Sequence, residues 1–345
     1  MSYIDIKGGG PAAAIVAAVF KTVGLQTSSI RRPSLGDARL ITLNGPTLML
    51  IKDLFGNTVF DKLLQQGVML EHRVLAWKLG DDPIAVNDKA LLVPLNTLTK
   101  LFHGQEELKS SGPLELTVEA YGRSENKGAS AGLRWAFVWH LHDLVLPNQL
   151  TCYLQAVDGG WVFLAPSPKG TLVQLITAGA DTELARGIAA KAITMALPQM
   201  KNAYFGLDSE PHQFDASPRF NEARNMDVAI IGDQVLALDP ISGDGIGHIL
   251  RSAVLLASLV KGGHHHAASP GIDIYYARLR RTFISHLTTC EQYYQQINVS
   301  NIWGKVIADM RREHLRLQRE VALDNPTSYV LNRSDISIQA ESAMY

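Results

Sequence analysis

The hydrophobic period of this chain switches repeatedly between two and about 3.6, and the switches predict its elements. Residues 3–6 read as a short strand, Gly8-Gly9-Gly10-Pro11 as a turn, and residues 12–23 as a helix of small side chains able to pack closely on a sheet. Gly24 stops that helix, and a second strand is expected at 26–30. Residues 44–65 and 95–107 read as helices, 68–77 and 84–86 as strands. Residues 114–121 alternate as a strand that turns at Gly122-Arg123-Ser124 into a polar loop over 125–128.

From about 133 to 178 the texture changes to long strands carrying aromatics, at 133–143, 150–157, 160–165 and 172–177, which predicts an antiparallel sheet inserted in an α/β framework. A helix at 181–196 and a polar, Pro-containing loop at 208–225 follow. The continuous apolar run 227–231 has the character of a strand buried on both faces and returns the chain to a parallel sheet. Helices fit 245–260, 271–297 and 301–321, and the Ser-, Asn- and Asp-containing last twenty residues read as a weakly ordered tail. No internal repeat is visible.

At 345 residues, 46% hydrophobic and 19% charged, the chain can bury a sizeable core. Its formal net charge of -1 supplies no global field for nucleic acid or an anionic membrane, so neither is expected as a partner. Cys152 and Cys290 stand far apart, which supports neither a disulfide framework nor a metal-thiolate site. The N-terminus lacks the regions of a signal peptide, and no apolar run reaches the ~18 residues of a membrane span. A cytoplasmic protein is the expectation.

Gly8, Gly10 and Ala13 satisfy Gly-x-Gly-x-x-Ala between a strand and a helix, with Pro11 and Ala12 at the helix start. There a backbone can approach a pyrophosphate and the helix N-terminus can stabilise its charge; a glycine-rich structural turn is the plainer alternative. No Asp or Glu occurs between Asp5 and Asp37, so the usual second-strand acid for a ribose is missing, and Arg31 or Ile30 stands near its place. Arg31 and Arg32 could contact phosphates or form a solvated pair. A stronger pattern is Gly232-Asp233 after the apolar run, followed by Asp239-Pro240-Ile241-Ser242-Gly243-Asp244-Gly245-Ile246 and a helix. A carboxylate ending a buried strand can accept from a ribityl or ribose hydroxyl, and the amides of the next helix start can face an electron-rich ring edge. The plainer alternative is a glycine-rich cap with Asp239 and Ser242 as capping residues.

These residues resemble the FAD-dependent aromatic hydroxylases and tryptophan-halogenase-like flavoproteins. That superfamily's second fingerprint matches Gly232, Asp233, Asp239, Pro240, Gly243 and Gly245, and its Ala-Thr/Ser-Gly-Arg loop is similar to Ala120-Tyr121-Gly122-Arg123, with Tyr121 a departure. The resemblance implies a mixed α/β fold with a Rossmann-like FAD-binding domain over 1–65, 95–130 and 200–260. An antiparallel substrate domain would cover 66–94 and 131–199, C-terminal helices 261–325, and a tail 326–345. It further implies FAD held by Asp233 and by the Pro240 turn beside the isoalloxazine ring.

The chain's small size and Gly160-Trp161-Val162-Phe163-Leu164-Ala165-Pro166 make it similar to the flavoprotein maturases of tryptophylquinone glycine and lysine oxidases. That implies an FAD-dependent monooxygenase using O2 and a reductant such as NAD(P)H to hydroxylate an aromatic ring, the Trp side chain of a partner oxidase polypeptide. A small-molecule aromatic hydroxylase and a non-catalytic binding or chaperone protein are the alternatives. Phe163 and Ala165 depart from the halogenases' Trp-x-Trp-x-Ile-Pro pattern, and Lys78 is only loosely placed for their catalytic lysine, so halogenation is disfavoured.

Alternation over 133–143 puts Trp135, Phe137, Trp139 and Leu141 on one face, and Arg134, Ala136, Val138, His140 and His142 on the other. Trp135, Trp139, Trp161 and Phe163 are pocket candidates, with a buried sheet core the competing role for the first two. No metal site is expected at His140 and His142 or at His264-His265-His266, because no carboxylate completes either set. A catalytic base is not evident.

Overall fold

The computed structural model describes residues 3–29, 39–78, 82–102, 113–123, 128–200, 206–222, 228–265, 271–298, 301–323, 328–331 and 336–339. The chain opens with β1 (Tyr3–Lys7), α1 (Pro11–Thr22) and β2 (Thr27–Ser29), then β3 (Leu40–Asn44) and α2 (Gly45–Gln65). The ribbon β4 (Val68–Ala76) and β5 (Ile84–Pro94) precedes α3 (Leu95–Phe102) and β6 (Leu114–Glu119). Four long strands follow, β7 (Trp135–Leu141), β8 (Thr151–Val157), β9 (Gly160–Ser167) and β10 (Gly170–Thr177), closed by α4 (Thr182–Ala196). Short strands β11 (His212–Asp215), β12 (Arg219–Phe220), β13 (Val228–Ile230) and β14 (Leu236–Ala237) lead to α5 (Gly245–Lys261), α6 (Gly271–Gln296) and α7 (Gly304–Leu323). A hairpin of β15 (Ser328–Leu331) and β16 (Ile336–Gln339) comes last.

The mixed α/β architecture rests on two sheets. One is parallel with order β13-β6-β1-β2, the other eight-stranded with order β11-β7-β10-β9-β8-β4-β5-β3 and antiparallel except where β4 meets β8. In the parallel sheet β1 is buried through Ile4, Asp5 and Ile6, and the small residues Ala12, Ala13 and Ala14 let α1 pack tightly on it and on α3 and α5. Edge strand β13 does not face solvent: the Tyr275 hydroxyl donates to the Ile230 carbonyl at 3.0 Å, and the Ile230 N–H donates to the Tyr276 hydroxyl at 3.1 Å.

Several elements differ from the expectation. The strand expected at 84–86 runs to Pro94, because Asn87, Asp88 and Lys89 lie on a ribbon rather than in a turn. The loop expected over 208–225 contributes β11 and β12, and the segment read as a tail contains the β15–β16 hairpin. Strand β3 was not anticipated; β3 and β11, outside the spans 66–94 and 131–199, form the two edges of the large sheet. No helix is long and apolar enough to cross a membrane among the described residues.

The pairing register sorts the large sheet's side chains into rows. On one face Trp135, Phe137, Trp139 and Leu141 of β7 pack with Ala185, Ile188, Ala189 and Ile193 of α4. On the other, one row runs Arg73–Cys152, Ala165–Leu172, and the next Leu75–Leu154–Phe163–Gln174–Val138. Trp161 and Phe214 stand one row further on.

Candidate active site

A cavity of about 820 Å³ lies between this second face and the C-terminal ends of the parallel strands. That size suits a small-molecule or cofactor site.

Its floor is made by the glycine turns. Gly8 has φ +149, and a Cβ there would stand 2.4 Å from the Ala120 carbonyl oxygen, so glycine is required for β1 and β6 to end side by side. A Cβ at Gly10 would meet nothing within 4 Å; it would project where Gly10, Pro11 and Ala12 line the cavity. Gly10 caps α1 without a side-chain hydrogen bond and Pro11 has no N–H, which leaves the amides of Ala12 and Ala13 without intrahelical partners. Gly232 has φ +76, and a Cβ there would come within 2.9 Å of the Ala12 methyl, so the two glycine motifs, distant in sequence, touch.

Asp233 lines the cavity with its side chain 44% exposed, 3.8 Å from Nε of Arg123. Arg123 also donates to the Ser217 and Leu238 carbonyls, both at 2.8 Å, and so ties the loop after β6 to the return of the chain near Leu238. Tyr121, the departure in that loop, lines the cavity, while its N–H donates to Gln234 Oε1 at 3.1 Å. Pro240, Ser242, Gly243, Gly245 and Ile246 line the same wall. The N-cap of α5, Asp244, gives no side-chain cap. It accepts instead from Asn44 Nδ2 at 3.1 Å and Thr47 Oγ1 at 3.2 Å and pairs with Arg251, so it anchors α5 to α2 and does not line the cavity.

The Asp-Pro turn is fixed from behind by a buried polar network. Asp239 pairs with Arg134, both with fully buried side chains, and accepts from the Tyr294 hydroxyl at 2.9 Å. Trp161, on the cavity wall, donates its indole N–H to that hydroxyl at 3.1 Å, and the Asp239 N–H donates to Nε2 of His286 at 2.8 Å. Burial alone would lower the pKa of Arg134, but Asp239 and Tyr294 together raise it, so it stays charged. Burial, then Asp239, pushes the Tyr294 phenol well up, which keeps its proton in place. Burial lowers His286 to about 4, against the opposing pull of Asp239, so a neutral ring accepts from the backbone.

Of the pocket candidates, Trp161 and Phe163 line the cavity. Trp135 and Trp139 face α4, and the Trp139 indole N–H donates to the Ser209 carbonyl at 3.2 Å; for these two the sheet-core role is the one the fold realises. Arg31 and Arg32 lie outside the described residues. No group of metal-ligating side chains occurs among the described residues. The missing second-strand acid has no substitute on β2, whose Ser28 hydroxyl donates to Asp5 of β1 at 3.0 Å.

No protein-family model matches the chain, and no curated protein matches it. Solved structures do. The peptidyl tryptophan dihydroxylase QhpG, essential for tryptophylquinone cofactor biogenesis, aligns with a TM-score of 0.68 over 98% of this chain and 86% of its own, at 16% identity. The chain shares the fold of flavin-dependent hydroxylases and halogenases. The halogenase CmlS aligns with a TM-score of 0.70 at 16% identity, over 92% of this chain and 70% of its own. A variant of Klebsiella pneumoniae HpxO complexed with FAD aligns at 0.61 and 14% identity, over 93% and 96%. Within this fold, Arg134, Asp239, His286 and Tyr294 were missed as a unit. The one local signal was an arginine at the head of an apolar strand, and the partners lie 105 and 55 positions from one another.

Proposed function

We propose that this protein is an FAD-dependent monooxygenase that hydroxylates an electron-rich aromatic ring, the Trp side chain of a partner oxidase precursor on the way to tryptophylquinone. The observation that carries the reading is one continuous cavity running from the glycine turns at Gly10 and Gly245 to the aromatic sheet face at Trp161 and Phe163. The residues present fit FAD. The free amides of α1 suit a pyrophosphate, Asp233 suits a ribityl or ribose hydroxyl, and the start of α5 behind Gly243 suits the electron-rich edge of the flavin ring. Residues 1–65, 95–130 and 200–260 would supply the cofactor side, and the large sheet the substrate side.

Bound and reduced, FAD supplies electrophilic oxygen from O2, with NAD(P)H or another donor as reductant. The chain's own part is orientation and exclusion of water. Val138, Leu154, Phe163 and Leu172 offer an apolar wall, and Trp161 is held at a set angle by its bond to Tyr294. Lys78 is exposed and does not line the cavity, and no lysine lines it among the described residues, which supports hydroxylation over halogenation. The resemblance in fold to a peptidyl tryptophan dihydroxylase supports the peptidyl substrate.

The test begins with the visible spectrum of the purified protein, where a flavin band is expected. Asp233→Ala should remain folded by circular dichroism and lose that band; retention of flavin would remove Asp233 from the site. A mass increment of one oxygen on a tryptophan of the co-expressed precursor completes the assignment, whereas turnover of free aromatics alone would point to a small-molecule hydroxylase.

A further inference from the structure

The sheet side of the cavity carries Val138, Leu154, Phe163 and Leu172, with Gln174 among them and Arg73 at one end. Arg73 heads the row that continues through Cys152, Ala165 and Leu172, so its side chain rises from the same face as Leu154 and Phe163 in the adjoining row, and it lines the cavity. With strands ~4.8 Å apart and two residues spanning ~6.8 Å, the Cα atoms of Arg73 and Phe163 are about 12 Å apart. Two side chains and one aromatic ring bearing a carboxylate span that gap. Asp88 engages one amino group of Arg73 at 2.6 Å, and the Arg73 side chain stays 30% exposed. Its buried Nε has no hydrogen-bond partner, so the group is under-satisfied where it stands.

Four arginines line the cavity, Arg39, Arg73, Arg123 and Arg219; Arg123 pairs with Asp233, Arg219 with Asp215 and Arg73 with Asp88. The guanidinium of Arg39 lies 5.8 Å from the Phe214 ring, also on the cavity wall. Cys152, beside Arg73, is kept protonated by burial and adds no negative charge.

We propose that Arg73 selects the substrate by pairing with a carboxylate carried next to the aromatic ring, the ring itself lying against Trp161 and Phe163. The carboxylate belongs either to a free aromatic acid or to an acidic residue beside the target tryptophan. This rests on the reading of the cavity as an aromatic-hydroxylase site. It concerns binding, so it is tested apart from oxygen transfer.

The full chain, as purified, is titrated with indole-3-acetate, indole-3-acetamide and 3-methylindole by calorimetry. It is also titrated with two short peptides in which Trp is flanked by Glu or by Gln. The acid is expected to bind about tenfold or more tighter than the amide, the size of a charge-assisted hydrogen bond, or the Glu peptide than the Gln peptide. Arg73→Gln should abolish that preference and leave 3-methylindole binding and the melting temperature unchanged, and Arg73→Lys should keep part of it. Equal affinity for charged and neutral members of both pairs, or a preference that survives Arg73→Gln, overturns the proposal. A protein that prefers the acid yet takes up no flavin would overturn the hydroxylase reading and leave the carboxylate site standing.

Discussion

Arg134 keeps its charge in the core because four groups share its desolvation: Asp239, the Ala131 and Gly132 carbonyls accepting at 2.8 and 3.2 Å, and the Tyr294 ring 4.8 Å from its Cζ. Removing one partner of such a pair strands the other. Arg134→Met is therefore expected to cost about 3–5 kcal/mol in urea unfolding, while Tyr294→Phe, which leaves the pair intact, costs about 1–2 kcal/mol. Both variants should change the near-ultraviolet dichroism of Trp161, whose N–H ends on Tyr294. His286 and His248 carry a pH dependence of fixed sign. Burial holds both near pKa 4 in the native state, against 6.5 for the unfolded chain. Between these values the unfolded state binds more protons, so stability is complete above pH 6.5 and falls as pH drops towards 4, by roughly 3 kcal/mol for each histidine. In His286→Gln, whose side-chain oxygen can still accept from Asp239, the slope of unfolding free energy against pH over that window should be about halved. An unchanged slope would show that His286 titrates alike in both states.

At the scale of elements, the first turn tests whether a glycine serves the backbone or the ligand. Gly8→Ala drives a methyl into the Ala120 carbonyl at a positive φ and should cost several kcal/mol or prevent folding, whereas Gly10→Ala meets open space at an ordinary φ of -96. Gly10→Ala is thus expected to fold with near-native melting and to bind FAD about tenfold more weakly by fluorescence titration. Equal flavin affinity would move the pyrophosphate elsewhere.

Local signals explain what could be read from the sequence. The strand–turn–helix at 3–23 and the segment 232–246 were legible because glycines, an acid and a helix start stand within a few residues. The four strands between 133 and 178 were legible through their alternation. What escaped depended on long-range pairing. β3 is five residues whose only wholly buried side chain is Leu43, and β11 is a polar strand that exists because Phe137 and Ala136 of β7 offer it an edge. Trp135 and Trp139 had two faces open to them, and α4, placed by the later chain, decided which.

At the scale of the whole molecule, the cavity has one wall in each sheet and its floor in α1 and α5, so a ligand that fills it ties together parts of the chain that otherwise meet along few strands. The Gly232–Ala12 contact, the Arg123 bonds to Ser217 and Leu238, and the Asp244 bonds to Asn44 and Thr47 are the joints that hold this arrangement before any ligand enters. Because unfolding separates these walls, the unfolded chain keeps no site, and FAD should stabilise by mass action alone: about 2.7 kcal/mol at a free concentration a hundredfold above its Kd, rising with the logarithm of concentration. The melting temperature should therefore climb by a few degrees across an FAD titration of the wild type. Asp233→Ala should show the same curve displaced to higher FAD concentration, since it weakens the native complex without creating one in the unfolded state. A melting temperature indifferent to FAD would mean that the cavity does not hold the cofactor. A rise that Asp233→Ala leaves undisplaced would mean that FAD binds without that carboxylate.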